Sequence, residues 1–141
     1  DIIFQKWGIE PDECWDKARK FMQNGYDQEH AYLRCLIDYN KQKGFELNNK
    51  KLYEYGREIE LYEGLSKKNN QHSIFDDLEN LLKKDEFSDA NIKIEYYCVS
   101  GGITEMIEGA FEAHNLNFRE VFACKFDEDE SGKLNYIKET V

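Results

Sequence analysis

The stretch Tyr96-Tyr97-Cys98-Val99-Ser100-Gly101-Gly102-Ile103-Thr104-Glu105 constrains this chain most. An apolar, β-prone run enters Ser-Gly-Gly and an amphipathic pattern follows at once, which predicts a strand feeding a helix through a glycine turn. The first N–H groups of a helix have no intrahelical partner and sit at the positive end of its dipole, so such a turn is a ready anion site. The Ser100 hydroxyl adds a donor for a phosphate oxygen. Ser100, Gly101 and Gly102 are therefore the predicted phosphate-binding residues. A site of this kind holds a phosphate without cleaving it, and the function depends on what the rest of the chain supplies.

The flanking pattern points to an α/β unit. Ile92 to Val99 begins as an alternation and ends as a continuous apolar run, as in a strand covered on both faces in a parallel sheet. A helix is predicted from Ile103 to His114 with Asn115 as its stop, then a strand over Val121 to Phe126. Asp127 to Gly132 reads as a turn and Leu134 to Ile137 as a shorter strand. Strand, long connection, strand predicts a parallel crossover. Ser73 predicts a helix start, with Asp76 as its capping-box partner and Ile74, Phe75, Leu78, Leu81 and Leu82 as its stripe.

The first half reads as helical. Pro11, Asp12 and Glu13 suit a first turn, Cys14, Trp15, Ala18, Phe21 and Met22 form a stripe, and Asn24-Gly25 stops it. Asp27 is the predicted cap of a second helix with Ala31, Tyr32, Cys35, Leu36 and Tyr39 inward, ending at Gly44. A third helix is predicted from Asn49 to Tyr62, with Leu52, Tyr55, Ile59 and Tyr62 on one side. Three amphipathic helices joined by short loops pack as a bundle. The polar segment Ser66 to Gln71 marks a boundary, giving a helical unit over 1–65 and an α/β unit over 66–141.

Composition narrows the function. The 141 residues carry a formal charge of −10, which disfavours nucleic acid and anionic membranes as partners. No apolar run is long enough for a membrane span. Cys14, Cys35, Cys98 and Cys124 show no C-x-x-C spacing and sit among apolar neighbours, so they read as free buried thiols of a reducing, cytoplasmic compartment. His30, His72 and His114 are scattered and show no metal-ligand spacing.

Asp127, Asp129, Ser131 and Gly132 imitate the start of an EF-hand loop, but the bidentate position falls on Lys138, so a hairpin turn is expected in place of a calcium site. No complete catalytic constellation occurs.

From about Ser73 onward the sequence resembles the haloacid dehalogenase-like hydrolase superfamily, most closely its phosphoserine-phosphatase-like branch. The resemblance rests on the helix Ile74 to Lys84, the strand ending in Val99-Ser100-Gly101-Gly102-Ile103-Thr104, the helix ending near Asn115-Leu116-Asn117, the strand Val121 to Phe126 and the hairpin Ser131-Gly132-Lys133-Leu134. It implies a helical cap bundle, where the first half stands, on a partial Rossmann-like parallel sheet core.

It also implies a phosphatase acting through an aspartyl-phosphate on a phosphorylated small molecule. Ser100 matches the motif that hydrogen-bonds the transferring phosphoryl group, and Gly101 the adjacent backbone contact. The nucleophilic D-x-D, the downstream lysine and the final acidic motif that holds magnesium have no counterpart in these residues. Magnesium is thus expected in an intact protein with its ligands outside this chain. The chain reads as a fragment, without Met at Asp1, that needs the remainder of its polypeptide. Cap residues Arg19, Tyr32 and Arg34 are candidates for contacting a leaving group. The competing expectation is a non-catalytic acidic binding or regulatory module with an anion site; a calcium sensor ranks third.

Overall fold

A computed structural model describes residues 2–42, 44–66 and 72–141. The local signals act where they stand. Helix α1 (Ile2–Trp7) is followed by α2 (Pro11–Gln23), with Pro11 at its start and Asp12 and Glu13 in its first turn. Asn24 closes α2, and Gly25 turns the chain with φ of 94°. Helix α3 (Gln28–Gln42) is capped by Asp27, whose Oδ1 accepts from the His30 N–H at 2.7 Å; that bond also holds the Asp27 carboxyl below its usual range. Asn48 caps α4 (Asn49–Gly56) by accepting from the Lys51 N–H. Ser73 and Asp76 form the predicted capping box of α5 (Ile74–Leu82), and the short α6 (Asp85–Ser88) follows.

Strand β1 (Tyr97–Ile103), helix α7 (Thr104–Ala113), strand β2 (Glu120–Glu128) and strand β3 (Leu134–Glu139) complete the chain. The sheet has the order β1-β2-β3, with β1 and β2 parallel and β2 and β3 antiparallel. The molecule is thus mixed α/β, with the parallel crossover in its expected place. The segment at Asp127 is a hairpin connection: Asp129 Oδ1 accepts from the N–H groups of Ser131 and Lys133 at 2.9 and 3.0 Å, and Gly132 has φ of 79°. Asn115 stops the α7 segment in the left-handed region, with φ of 53°.

Three expectations change. β1 begins at Tyr97, and residues 92–96 lie outside any strand. α4 ends at Gly56, well short of Tyr62, which is 88 % exposed. The stripe of α5 is only partly covered: Phe75, Leu78 and Leu82 are half-buried, with Phe75 against Tyr96 and Phe118, while Ile74 and Leu81 are exposed. α1 and α6 carry no cap or periodic signal long enough to be predicted. The boundary read at residues 66–71 falls, beyond Ser66, outside the described residues.

One core runs through both halves of the chain. Cys14, Ala18, Ala31 and Cys35 fill the α2–α3 contact, and Leu36, Leu47 and Leu52 continue it into Met106, Cys124, Phe126 and Leu134. Trp7 stacks on Phe45 at 4.4 Å, closing α1 onto the segment before α4. The sheet is less covered: Tyr97, Val99 and Phe122 are exposed, Val99 by 70 %, and among the described residues β1 pairs with β2 alone. All four cysteines are thiols, and Cys14, Cys35 and Cys124 are buried.

Candidate functional site

The predicted phosphate-binding residues lie at the carboxyl end of β1, immediately before α7, but they form a bulge in the strand rather than a turn. Ser100 pairs with Ala123 and Ile103 with Cys124, so Gly101 and Gly102 are inserted opposite no residue of β2. Glycine within a strand commonly marks such a bulge or a close approach of another group. The helix begins at Thr104, with Ile103 in extended conformation as its N-cap and no side-chain cap.

The bulge is internally bonded. Gly102 N–H donates to Ser100 Oγ at 3.1 Å, an interaction typical of a serine bridging to the residue two ahead. Gly101 O accepts from the Cys124 thiol at 3.5 Å. Glu29, from the first turn of α3, lies against Gly101: a Cβ at that position would stand 3.1 Å from Glu29 Cγ and 3.3 Å from its Oε1. Glu105 takes a hydrogen bond from its own backbone N–H. Two of the amides expected to be open are therefore bonded within the chain, and two carboxylates flank the turn. The Ser100 hydroxyl, half-buried, accepts from Gly102 and keeps its own proton for donation.

Glu105 is a half-buried carboxylate in the first turn of α7. Its Oε2 is buried without a hydrogen-bond partner, and burial raises its carboxyl pKa above the ordinary 4.5. A carboxyl whose folded pKa is raised stabilises the fold below its unfolded pKa, and that contribution is lost as pH rises through the folded value. Glu105→Gln is therefore expected to raise the melting temperature at pH 7, with the gain shrinking to nothing as pH falls to about 4. Parallel thermal melts of the two proteins across that range check it.

The candidate cap residues separate. Arg19 pairs with Asp16 on α2, and Arg34 pairs with Asp38 at 3.3 Å on the outer face of α3. Tyr32 stacks on Trp15 at 5.5 Å and lines, together with Gly102, Ile103, Met106 and Ile107, an apolar groove of about 640 Å³. The helical half and the Ser-Gly-Gly end of β1 thus meet through Tyr32 and Glu29. Sequence reasoning missed Glu29 and Glu105. Glu29 is an ordinary first-turn acid until the fold sets it on Gly101, and Glu105 reads simply as a dipole-favoured acid.

Among the described residues no group of three or more His, Cys, Asp or Glu side chains could hold a metal ion, so the residues present do not fit a magnesium site. Nor is any helix among them long and apolar enough to cross a membrane. No family model, curated protein or solved structure matches the chain.

Proposed function

We propose that this chain supplies the cap and the middle of the core of a magnesium-dependent, haloacid dehalogenase-like phosphohydrolase, and that by itself it does not hydrolyse phosphomonoesters. The observation that carries this reading is the β1–α7–β2 unit, with Ser100, Gly101 and Gly102 at the carboxyl end of a strand parallel to its neighbour. Open α/β sheets bind ligands at that end, where helix N-termini converge. Ser100 would hydrogen-bond the phosphoryl group of a phosphorylated small molecule, and positioning of that kind is most of what phosphoryl transfer needs from a protein. Tyr32, which lines the apolar groove together with Gly102, would be the cap residue that meets the leaving group. The edge of β1 that no described residue pairs, and the exposed Tyr97, Val99 and Phe122, suit a partial Rossmann-like sheet that continues in the remainder of the polypeptide. The attacking aspartate, the lysine and the magnesium ligands would come from there, in a cytoplasmic enzyme.

A second reading, a non-catalytic acidic binding or regulatory module whose anion site holds a ligand without chemistry, is favoured by one observation: among the described residues no cluster of side chains could hold the metal that catalysis would need. Two measurements test these readings. Incubation of the purified chain with p-nitrophenyl phosphate and magnesium is expected to release no nitrophenol; magnesium-dependent release would overturn the assigned inactivity. Titration with inorganic phosphate, followed by amide NMR, is expected to shift Ser100 to Glu105 saturably, and less so in Ser100→Ala. Shifts absent from that segment would sink the phosphohydrolase reading and the module's anion site alike.

A further inference from the structure

Cys14 on α2 and Cys35 on α3 meet inside the contact between those two helices. Cys14 and Ala18 lie one turn apart on α2, Ala31 and Cys35 one turn apart on α3, and all four are no more than 1 % exposed. Small side chains on facing stripes let two helix backbones approach closely, and close approach is what a disulfide requires of its two Cα atoms. The Cys35 thiol donates to the Cys14 carbonyl at 3.8 Å, and the two thiols are hydrogen-bonded to each other.

The surroundings give the two thiols different characters. The hydrogen bond from Cys14, helped by the Lys17 ammonium, holds the Cys35 thiol below the usual thiol range, although burial and Asp38 act the other way. The same bond, with burial and the Glu13 carboxylate, pushes the Cys14 thiol up against the pull of Lys17. Cys35 is therefore the better nucleophile and Cys14 the thiol that stands beside it. Cys98 and Cys124 differ from Cys35, because burial pushes both of their thiols up.

We propose that Cys14 and Cys35 form an oxidative modification site, a dithiol that hydrogen peroxide converts reversibly into a disulfide joining α2 to α3. The Cys35 thiolate attacks one peroxide oxygen; the O–O bond breaks, the departing hydroxide takes up the proton that Cys35 gave, and Cys35 becomes a sulfenic acid. Cys14 then gives up its proton and attacks the Cys35 sulfur; the S–S bond forms, the S–O bond breaks, and the second oxygen leaves as water. Two thiols lose two electrons and two protons, and peroxide is reduced to two molecules of water. Both cysteines are shut off from solvent, so the oxidant must be small and enter during local opening of the helix pair. The cross-link would fix α2 against the helix that sets Glu29 on Gly101 and Tyr32 in the apolar groove. The site stands whether or not the chain belongs to a phosphohydrolase.

Peptide mass spectrometry tests it. The reduced, purified chain is exposed to about millimolar hydrogen peroxide, then unfolded in a maleimide that caps every remaining thiol. One cross-link is expected, Cys14 to Cys35, with a mass loss of two hydrogens, capped Cys98 and Cys124, and reversal by dithiothreitol. Oxidation in urea is expected to scatter the cross-links over all four cysteines. Cys14→Ala, with dimedone present, is expected to trap the sulfenic acid on Cys35, while Cys35→Ala leaves Cys14 unlabelled. The proposal is overturned if peroxide leaves both helix thiols free in the folded chain, or if Cys98 is oxidised while they stay reduced. It is equally overturned if the folded chain pairs its cysteines as indiscriminately as the unfolded one. The parent's map decides these points even where a variant fails to fold.

Discussion

Gly109→Ala is expected to lower the melting temperature by about 10 °C, corresponding to about 3 kcal/mol of stability, and Gly56→Ala by a similar amount. The reason is a backbone-to-backbone crossing of α4 and α7. A Cβ on Gly109 would lie 2.2 Å from the Tyr53 carbonyl oxygen and 3.1 Å from the Arg57 nitrogen. A Cβ on Gly56 would lie 2.1 Å from the Met106 carbonyl oxygen and 2.7 Å from its C and Cα. Every one of these atoms is main chain, so no side-chain rotation relieves the clash. The helices must separate by about an ångström, which opens the packing around Leu52 and Met106. Helix propensity works the other way, since alanine favours a helix interior over glycine by about 1 kcal/mol. The sign of the measured change therefore decides between local propensity and the helix crossing. Urea or thermal denaturation of each variant reads it, and a melting temperature equal to or above the parent's would refute the crossing. Because the crossing joins residues 1–65 to residues 66–141, the two stretches are also expected to melt in a single transition.

That crossing marks where the sequence stops being legible. Features set by residues within a turn of one another were readable: the Asp27 cap, the Ser73–Asp76 box, the stops at Asn24-Gly25 and Asn115, and the hairpin at Asp129 to Gly132. The strand–helix–strand order was readable from hydrophobic period alone. The extent of α4 was not, because Leu52, Tyr55, Ile59 and Tyr62 continue a helical stripe beyond the point where Gly56 docks on α7. Nothing local distinguishes Gly56 or Gly109 from a helix-weakening glycine; their role appears only when two segments more than fifty residues apart are brought together. Gly101 and Gly102 show the same limit at the candidate site. Glycines after an apolar run signal either a turn or a bulge, and the choice rests on pairing with Ala123 and Cys124. The half-covered stripe of α5 departs from pattern for the opposite reason: a periodic apolar face states what a helix can bury, while the fold decides how much of it meets a partner.

Asn40 carries the second large effect. It is 2 % exposed on α3, and its amide serves both main-chain groups of one residue. Its Oδ1 accepts from Leu47 N–H at 2.8 Å, and its Nδ2 donates to Leu47 O at 3.3 Å. Leu47 O also accepts from Leu134 N–H at 3.2 Å, at the start of β3. The side chain thus does for Leu47 what a neighbouring strand would do, and ties α3, the segment before α4 and the sheet together. Asn40→Ala strands the buried Leu47 N–H and leaves a void, for an expected loss of about 3 kcal/mol.

Asn40→Asp separates hydrogen bonding from packing, since it keeps the shape and changes one atom. The carboxylate still accepts from Leu47 N–H but sets a second oxygen against Leu47 O, and burial disfavours its charge. Protonation restores the lost donor, so the folded pKa must lie above the unfolded value of about 3.9. The variant should therefore approach the parent's stability near pH 4 and fall progressively behind it as pH rises toward 8. Melting temperatures of the two proteins across that range measure the divergence. A constant gap would mean that the aspartate has found solvent, and that the amide does not bridge Leu47 in the way the distances require.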